Sequence, residues 1–347
     1  MCAAEWDLSW TGNQFLDEAY VQEIAVQEAE RIDFTRKGPI DSRPLAEALA
    51  GRHGVDPDRV LVGAGSSQVL EAVLRFHSGH EIVDVVPNFH MARLVAERDG
   101  RRYRAVEVRE PADLLPALAA LPLRSDSLVV LSSPRNPLGY AFPEEEVRAL
   151  LEMAPGPVVV DEAYVEFAPA GLAHILAEHP NLILTRTFSK AWGMANLRVG
   201  YALSARVPHR LQRDYLLPYN VGELGQRVAC ALLRDPGPVL RSIDSARAAR
   251  DRLVARLGSE GGGLRVWPSA ANYVCVEHPE ADVLADALRK DGIQVAAVRE
   301  LRHYPRNWPA GLRISAPPVE VEERVLAVLA GATTPPVSCH IRSARSS

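Results

Sequence analysis

The most informative part of the sequence is the segment Thr185-Arg186-Thr187-Phe188-Ser189-Lys190-Ala191-Trp192-Gly193. Its first residues end an apolar run at residues 182–186, which predicts a buried strand, and Lys190 follows that strand among hydroxyl side chains. Arg198 comes eight residues after the lysine. An amine, hydroxyls and a guanidinium in this order suit a carbonyl cofactor that carries a phosphate. Taken alone, however, a lysine after a strand is usually a solvated loop residue.

The regions around this segment alternate between short apolar runs and helix-like stretches, from about residue 45 to residue 203. This alternation predicts a mostly parallel sheet covered by helices. The seven predicted strands are residues 60–62, 82–86, 103–108, 128–131, 158–160, 182–186 and 199–203. The last run follows its predecessor after a loop too short for a long crossover helix, which favours an antiparallel orientation for it.

The pattern changes after Gly222 to long helical stretches, broken by proline and glycine at residues 235–238 and by glycine at 261–263. A smaller domain is expected there, with strands near residues 264–267, 273–276, 293–296 and 312–315 and an amphipathic helix at 319–329. The sequence thus predicts an N-terminal segment (1–35) that packs on the small domain or on a second subunit, a large domain (36–222), a small domain (223–332) and a disordered Pro/Ser/Arg-rich tail (333–347).

The composition of the chain excludes several classes of protein. Its 347 residues contain 44 acidic and 39 basic side chains that are interspersed, so no strongly basic face for nucleic acid is expected. The 4 cysteines lie far apart, without a C-x-x-C pair or the dense spacing of a secreted disulfide scaffold, which favours reduced thiols and a cytoplasmic location. No apolar run reaches the length of a membrane span, and the histidines show no metal-ligand arrangement.

A carboxylate follows a second apolar run. Residues 158–160 are all valine, and Asp161 comes directly after them. Open α/β sheets bind ligands at the carboxyl ends of their strands, where this side chain is expected to lie. An anion fixed there can hold a pyridine nitrogen protonated, which turns the ring into an electron sink for a carbanion. By itself Asp161 would more simply be a helix cap or a turn residue.

Two further loops contain residues that suit a bound ring and its phosphate. Asn136, in the loop at residues 132–139, could present an amide donor to a ring oxygen, although a plain turn would contain the same residues. The stretch Val62-Gly63-Ala64-Gly65-Ser66-Ser67 joins a strand to a predicted helix. Its small residues would let a phosphate approach backbone N–H groups at the helix N-terminus. Alone this signal is weak, since glycines are common at strand–helix turns.

Together these four segments resemble pyridoxal-phosphate enzymes of fold type I, and within them the class I/II aminotransferases, closest to the histidinol-phosphate aminotransferase branch. The resemblance runs from about residue 45 to residue 329, and its most specific element is the R-T-x-S-K-x-x-G…L-R-x-G pattern at residues 186–200. It implies an α/β fold with a large domain on a mostly parallel seven-stranded sheet, a small α/β C-terminal domain, a site in the cleft between them, and a homodimer.

The resemblance also implies a role for each matching residue. Lys190 corresponds to the lysine that holds pyridoxal 5'-phosphate as a Schiff base, and Asp161 corresponds to the partner of the pyridine nitrogen. Asn136 and Tyr164 correspond to the pair that hydrogen-bonds the phenolic oxygen of the ring. The other cofactor-binding residues that it implies, chiefly around the phosphate, are Gly65, Ser66, Ser67, Thr187, Ser189 and Arg198.

Three more positions match the family on less specific grounds. Phe89 falls where the family has an aromatic side chain stacked on the cofactor ring, although it could be an ordinary core phenylalanine. Arg313 resembles the arginine that clamps the acidic group of the substrate, since a guanidinium can grip a carboxylate with two parallel hydrogen bonds. A strand-borne surface arginine is the alternative reading of Arg313. Asn272 matches a family landmark that is more structural than chemical.

Three departures from the branch bear on the substrate. The family's N-E-N-P-like opening is replaced by Gly12-Asn13-Gln14-Phe15, and a tyrosine that reaches the cofactor phosphate of the neighbouring subunit is replaced by Arg36-Lys37-Gly38-Pro39. The second substrate arginine is replaced by Ala296, which cannot bind a phosphate. Arg299 or Arg302 could reach the same place, but histidinol phosphate is not favoured as the substrate.

We therefore expect an aminotransferase that acts between an amino acid, or an amino-alcohol phosphate, and a 2-oxo acid. Lys190, once displaced by the substrate amine, would be the general base that moves the α-proton. The same residues would equally serve a decarboxylase, lyase, cyclase or oxidase of an amino acid, because the bond that breaks depends on the pocket. A non-catalytic ligand sensor would need a DNA-binding module, and the stretch before residue 45 is too short and too acidic for one.

Overall fold

The computed structural model describes residues 5–77, 79, 81–205, 214–260, 264–302 and 304–331. The predicted tail at 333–347 and the predicted break at 261–263 lie outside the described residues. The strands are β1 Trp6–Asp7, β2 Val60–Gly63, β3 Glu81–Val86, β4 Arg102–Glu107, β5 Ser127–Ser132, β6 Val158–Asp161, β7 Leu182–Thr187, β8 Gly200–Ser204, β9 Arg265–Val266, β10 Tyr273–Glu277, β11 Ile293–Gln294, β12 Ala296–Ala297 and β13 Gly311–Ser315. The helices are α1 Glu18–Ala29, α2 Arg43–His53, α3 Gly65–His77, α4 Met91–Asp99, α5 Leu114–Ala119, α6 Glu144–Met153, α7 Glu223–Arg234, α8 Gly237–Glu260, α9 Ala281–Lys290 and α10 Val319–Gly331. In these ranges, no helix is both long enough and apolar enough to cross a membrane.

The largest sheet formed by the described residues has 7 strands in the order β2-β8-β7-β6-β5-β3-β4. The pairs from β7 to β4 are parallel, whereas β8 runs antiparallel to both β7 and β2. The predicted strands therefore all lie in one sheet, and the expected antiparallel orientation of the last one is confirmed. Neighbouring strands end together, with Asp161 of β6 opposite Ser132 of β5 and Thr185 of β7.

The apolar character of these strands follows from their burial on both faces. In β5, Val129 and Leu131 pack into the hydrophobic cluster on one face, while Leu128 and Val130 pack into the cluster on the other. Residues of α2 and α6 belong to the first cluster, and residues of α3 and α4 belong to the second. Because successive side chains of a strand point to opposite faces, a strand covered on both sides must be apolar at every position.

A second sheet has the order β12-β13-β10-β9 and is antiparallel throughout. The prediction of one strand at residues 293–296 is wrong, because the chain forms two short strands there. Ile293 of β11 pairs with Trp6 of β1, whereas Ala296 of β12 pairs with Arg313 of β13. Residues 293–294 and 296–297 thus pair with partners in two different sheets, and Val295 between them belongs to neither strand. The strand predicted at 264–267 is also shorter, spanning only β9.

The N-terminal segment, residues 6–13, lies across the small sheet. The Leu8 amide donates to the carbonyl of Gln294 at 2.8 Å. Further along, the side-chain amide of Asn272 donates to the carbonyl of Thr11 at 3.1 Å. These bonds hold the segment beside the small sheet, and the side-chain amide of Asn13 donates to the carbonyl of Ala191, on the loop after β7, at 3.0 Å.

Candidate active site

A cavity of about 360 Å³ opens at the carboxyl ends of β5, β6 and β7, beneath the N-terminal segment. Ligands of open α/β sheets bind outside these strand ends, and the volume is in the range of small-molecule sites. The residues predicted from the sequence that line it are Ser66, Ser67, Phe89, Asn136, Asp161, Tyr164, Thr187, Ser189, Lys190, Arg198 and Arg313. Gly65, the remaining predicted residue, lies beside the cavity against Arg198.

Asp161 is the last residue of β6 and is 4% exposed. The hydroxyl of Thr185, on the neighbouring strand β7, donates a 2.9 Å hydrogen bond to its Oδ1 atom. Burial raises the pKa of the Asp161 carboxyl to about 6, against the opposing effects of the Thr185 bond and the charge of Lys190. A cation in contact with this carboxyl would offset the cost of burying the anion, so the site favours a positively charged partner.

Lys190 lies on the loop that follows β7, and its amine reaches the cavity. The Nζ atom donates a 2.6 Å hydrogen bond to Oγ1 of Thr11 and lies 5.4 Å from the centroid of the Tyr164 ring. The positive charge of Lys190 lowers the pKa of the Asp161 carboxyl. The amine and the carboxyl line the same cavity.

The hydroxyl of Tyr164 is held from two sides. The Nδ2 atom of Asn136 donates to it at 3.3 Å, and Oγ1 of Thr11 lies 3.0 Å from it. The Tyr164 ring packs edge-on against Tyr273, with 5.1 Å between the ring centroids. These contacts fix the phenol at one wall of the cavity, with its oxygen turned toward the space beside Asn136.

Arg313 reaches the cavity from β13 of the small sheet. Its Nη1 donates to Oδ1 of Asn136 at 2.8 Å, and its Nη2 donates to the carbonyl of Ser9 at 2.7 Å. Within the described residues, its buried Nε atom has no hydrogen-bond partner. The guanidinium carbon lies 5.5 Å from the centroid of the Tyr273 ring. Asn136 therefore connects an arginine of the small sheet with Tyr164 beside the large sheet.

The first turn of α3 forms a cradle of small residues. Gly65 has φ +80°, in the left-handed region that favours glycine. A Cβ atom on Gly65 would lie 2.4 Å from Nη2 of Arg198, and one on Gly200 would lie 2.2 Å from the backbone nitrogen of Ser66. Any larger side chain would therefore displace its neighbours. The first N–H groups of a helix have no partner within that helix, so they are available to an anion here.

Arg198 supplies the positive charge at this corner of the cavity. Its Nη1 donates to the carbonyl of Ala195 at 2.9 Å and to Oγ of Ser189 at 3.5 Å. The Ser189 amide in turn donates to Oγ1 of Thr187 at 3.1 Å. A helix N-terminus, two hydroxyls and a permanent cation thus surround one corner, which suits a phosphate group.

Comparison with known proteins identifies the family. A family model described as "Aminotransferase class I and II" matches residues 8–329. The chain belongs to this family. The match spans both sheets and every residue named above as lining the cavity. The expected enzyme class, an aminotransferase, and the expected fold type are confirmed.

Individual relatives agree with this aminotransferase family. The histidinol-phosphate aminotransferase of Thermococcus gammatolerans is 35% identical over 256 residues, 74% of each chain. Histidinol-phosphate aminotransferase 2 of Pseudomonas aeruginosa is 34% identical over 313 residues, 87% of this chain and 82% of the relative. The expected similarity to the histidinol-phosphate aminotransferase branch is thus confirmed.

Solved structures of related proteins show the same architecture. Histidinol-phosphate aminotransferase from Sinorhizobium meliloti, in complex with pyridoxal-5'-phosphate, has a TM-score of 0.77 at 26% identity, over 95% of this chain and 91% of that chain. L-threonine-O-3-phosphate decarboxylase from Porphyromonas gingivalis has a TM-score of 0.80 at 18% identity, over 94% of this chain and 99% of that chain. The second similarity shows a shared fold alone.

Two arginines that could have replaced the family's second substrate arginine lie elsewhere in this aminotransferase. Arg302 lines a separate cavity of about 600 Å³, and Nη2 of Arg299 donates to a backbone carbonyl of its own loop at 3.4 Å. After β12 the chain turns into a short 3-10 helix, Val298–Glu300, and neither Arg299 nor Arg302 lines the candidate cavity. Among the arginines in the described part of the chain, those that line the candidate cavity are Arg198 and Arg313.

Thr11 is the residue of this site that sequence reasoning missed. Its hydroxyl contacts both Lys190 and Tyr164, and it is 4% exposed. The nearest signal in the sequence is the departure from the family's opening at Gly12-Asn13. That departure shows where the segment differs from the aminotransferase family, but the position of Thr11 in the cavity depends on contacts made in the folded chain.

Proposed function

We propose that this chain is a pyridoxal-phosphate-dependent aminotransferase that moves an amino group between an amino acid and a 2-oxo acid. The observation that carries the proposal is the convergence of the Lys190 amine, the buried Asp161 carboxyl, the Arg198 cradle and the Arg313 guanidinium in one cavity. When bound, pyridoxal phosphate supplies a carbonyl carbon for amines and a ring that accepts the electrons of a carbanion. The residues of the chain bind this group, orient it and move the proton.

Lys190 is assigned two tasks. Its amine holds the cofactor covalently, and after displacement by the substrate amine it carries the proton from the α-carbon. Both tasks require an amine that stays in the cavity throughout the reaction. The 2.6 Å bond to Thr11 and the adjacent Tyr164 ring support this requirement.

Asp161 is assigned to the pyridine nitrogen of the cofactor. Since burial raises the pKa of its carboxyl, a protonated nitrogen would favour the anionic form and would itself be held protonated. The Thr185 hydroxyl orients the carboxylate. The phenolic oxygen of the ring is assigned to Asn136 and Tyr164, and the face of the ring to Phe89.

The phosphate of the cofactor is assigned to the corner beside α3. Backbone N–H groups of the first helical turn and the guanidinium of Arg198 would share its negative charge. The residues assigned to this anion are Gly65, Ser66, Ser67, Thr187, Ser189 and Arg198.

Arg313 is assigned to the carboxylate of the substrate. It is 8% exposed, and its present acceptors are the neutral oxygens of Asn136 and Ser9. A carboxylate would accept stronger, charge-assisted bonds from the same guanidinium. The named relatives act on histidinol phosphate, an amino-alcohol phosphate, but Ala296 offers no charge for a second anion. An amino acid is therefore the better supported donor.

A homodimer is part of the proposal. Four large side chains in two segments of the chain are exposed, namely Phe34 at 69%, Ile40 at 61%, Leu217 at 76% and Tyr219 at 44%. The Tyr219 amide donates to the carbonyl of Ile40 at 3.1 Å, so the two segments form one surface. Lys37 lies 5.7 Å from the Tyr219 ring, so the basic stretch that replaces the family's tyrosine belongs to this surface as well. A second copy of the chain is the occupant that this arrangement favours.

The division of the chain into domains is also proposed. Residues 36–222 would form the large domain and residues 223–332 the small one, with residues 1–35 preceding both. Backbone bonds from Leu8 to Gln294 and Ser315 support grouping the start of the chain with the small domain. The cavity would then lie between the two domains.

The purified full-length protein tests the reaction. Its visible spectrum is recorded while amino acids are added one at a time, without an oxo acid. Transamination predicts that one donor converts the bound cofactor fully to its amino form and releases one oxo acid per site, and that a 2-oxo acid then restores the starting spectrum. Release of carbon dioxide, ammonia or hydrogen peroxide without a stable amino form would instead show one of the other reactions, and the proposal would fail.

A further inference from the structure

A single hydroxyl lies between two groups that the proposed reaction needs, the amine of Lys190 and the phenol of Tyr164. Oγ1 of Thr11 is 2.6 Å from Nζ of Lys190 and 3.0 Å from the hydroxyl oxygen of Tyr164. These are its two hydrogen-bond partners across 179 and 153 residues of sequence. Because Thr11 is 4% exposed, water does not compete freely for these bonds.

We propose that Thr11 is a positioning residue, which holds the Lys190 amine in the cavity whenever it is not linked to the cofactor and couples its protonation to the Tyr164 hydroxyl. This inference rests on the proposed function, since it assumes that Lys190 is both the cofactor lysine and the proton carrier. It assigns a task to the N-terminal segment, where the sequence departs from the family.

The direction of each hydrogen bond follows from the groups themselves. An ammonium group can only donate, and so can the Nδ2 amide of Asn136. When Lys190 is protonated, it donates to Thr11, and the Thr11 hydroxyl then donates to Tyr164. The Tyr164 oxygen thus accepts from both Thr11 and Asn136, which leaves its own proton for an acceptor in the cavity.

When Lys190 is neutral, the two hydrogen bonds of the Thr11 hydroxyl can reverse their direction. The amine then has a lone pair, so the Thr11 hydroxyl can donate to it and accept from Tyr164. One rotation of the Thr11 hydroxyl therefore accompanies gain or loss of a proton at Lys190. The same hydrogen bond also fixes where the lone pair of the neutral amine lies, which a base needs for proton transfer.

The backbone around Thr11 is held by contacts other than these two side-chain bonds. The Asn272 side chain donates to the carbonyls of Thr11 and Gly12, at 3.1 and 2.8 Å. The hydroxyl of Ser315 donates to the carbonyl of Trp10 at 2.7 Å. Backbone contacts therefore hold the segment, and a change confined to the Thr11 side chain should leave the segment attached.

The test compares Thr11→Val, which has the shape of threonine without the hydroxyl, with Thr11→Ser, which keeps the hydroxyl. Ser259→Ala, at an exposed serine of α8, is the control for loss of a surface hydroxyl. The donor half-reaction is followed with an amino acid carrying either hydrogen or deuterium at the α-carbon. We expect Thr11→Val to slow this step about 10- to 100-fold and to enlarge the isotope effect, because the amine is no longer aligned. Thr11→Ser should stay within a few-fold of the unchanged protein.

A second measurement uses the full chain freed of its cofactor. The chain has three lysines, Lys37, Lys190 and Lys290, so acylation of each can be followed by mass spectrometry, with Lys290 as the internal reference. Loss of the Thr11 hydroxyl removes the 2.6 Å hydrogen bond that holds the Lys190 amine, so the amine is freer to meet the reagent. Acylation of Lys190 at pH 8 should therefore be roughly threefold faster in Thr11→Val. If that variant does not fold, Thr11→Ala provides the same comparison.

The inference is overturned if Thr11→Val matches the unchanged protein in half-reaction rate, isotope effect and Lys190 acylation. It is also overturned if Thr11→Ser is as slow as Thr11→Val, since shape rather than the hydroxyl would then matter. Failure of the proposed function would be recognised separately, because the unchanged protein would then carry no cofactor on Lys190.

Discussion

The Arg313 guanidinium, on a strand of the small sheet, donates a 2.8 Å hydrogen bond to Oδ1 of Asn136, on a loop beside the large sheet. The Nδ2 atom of the same Asn136 side chain donates to the Tyr164 hydroxyl at 3.3 Å. The proposed site for the substrate carboxylate and the proposed site for the cofactor ring therefore share one side-chain amide. A carboxylate that binds Arg313 would change the environment of Tyr164 through Asn136.

Replacement of Arg313 should separate substrates by their carboxylate. We expect Arg313→Lys to lower kcat/KM for an amino acid about 10- to 100-fold, mainly through KM, because a lysine cannot form two parallel bonds. The decarboxylated analogue of that amino acid, an amine without the carboxylate, should react at the same slow rate in Arg313→Lys and in the unchanged protein. Arg299→Lys, on the short 3-10 helix after β12 and outside the cavity lining, is the control. Equal losses for the amino acid and the amine would show that Arg313 does not bind the carboxylate.

Asp161 predicts a pH dependence of stability in the cofactor-free protein. Burial raises the pKa of its carboxyl from 3.8 to about 6, so the folded chain binds this proton more tightly than the unfolded chain does. This contribution to the free energy of unfolding is fully present below about pH 3.8 and is lost as the pH rises through about 6. Asp161→Asn, whose amide does not ionise, should gain up to about 3 kcal/mol relative to the unchanged protein between pH 4 and pH 7.

Denaturant unfolding of both cofactor-free proteins at a series of pH values measures this difference. Asp126→Asn, at a carboxylate with 45% of its side chain exposed, should show no comparable trend. Addition of the cofactor should stabilise the unchanged protein more than Asp161→Asn, because only the former can pair with a protonated ring nitrogen. Parallel stability profiles for the two cofactor-free proteins would mean that the Asp161 carboxyl is not desolvated as described.

The sequence predicted the large sheet well for a physical reason. Strands buried on both faces must be apolar at each position, so runs such as the three valines before Asp161 stand out. Residues that follow such runs lie at a shared edge of the sheet, and Asp161 and Lys190, which the family resemblance assigned to one cofactor, both line the cavity there. The short loop before β8 likewise predicted its antiparallel orientation correctly.

What the sequence did not predict depends on short, distant pairings. β1 has two residues and pairs with β11, nearly 300 positions later, so no periodicity marks it. That pairing divides the strand predicted at 293–296. Four residues after β1, Thr11 accepts the hydrogen bond from Lys190. Arg302 was considered for the cavity from its distance along the chain, but a turn of 3-10 helix before it leads it to another cavity.

If the protein is a homodimer, a charged residue placed in the proposed interface should lower its molecular mass in solution. Ile40→Glu should shift the protein toward the monomer, because a carboxylate would be buried between two copies without a partner. Val283→Glu is a matched control, since Val283 is 63% exposed against 61% for Ile40 and lies on α9, away from this surface. Sedimentation over a range of concentrations measures both variants. A monomeric unchanged protein, or a dimer unaffected by Ile40→Glu, would contradict the proposed interface.

In the proposed function, Lys190 holds the cofactor. The purified protein is reduced with borohydride, digested, and its three lysine-containing regions are examined by mass spectrometry. We expect the mass of the reduced cofactor on Lys190 alone, and we expect it to be missing in Lys190→Ala together with amino transfer. Cofactor attached to Lys37 or Lys290, or full turnover by Lys190→Ala, would contradict the account.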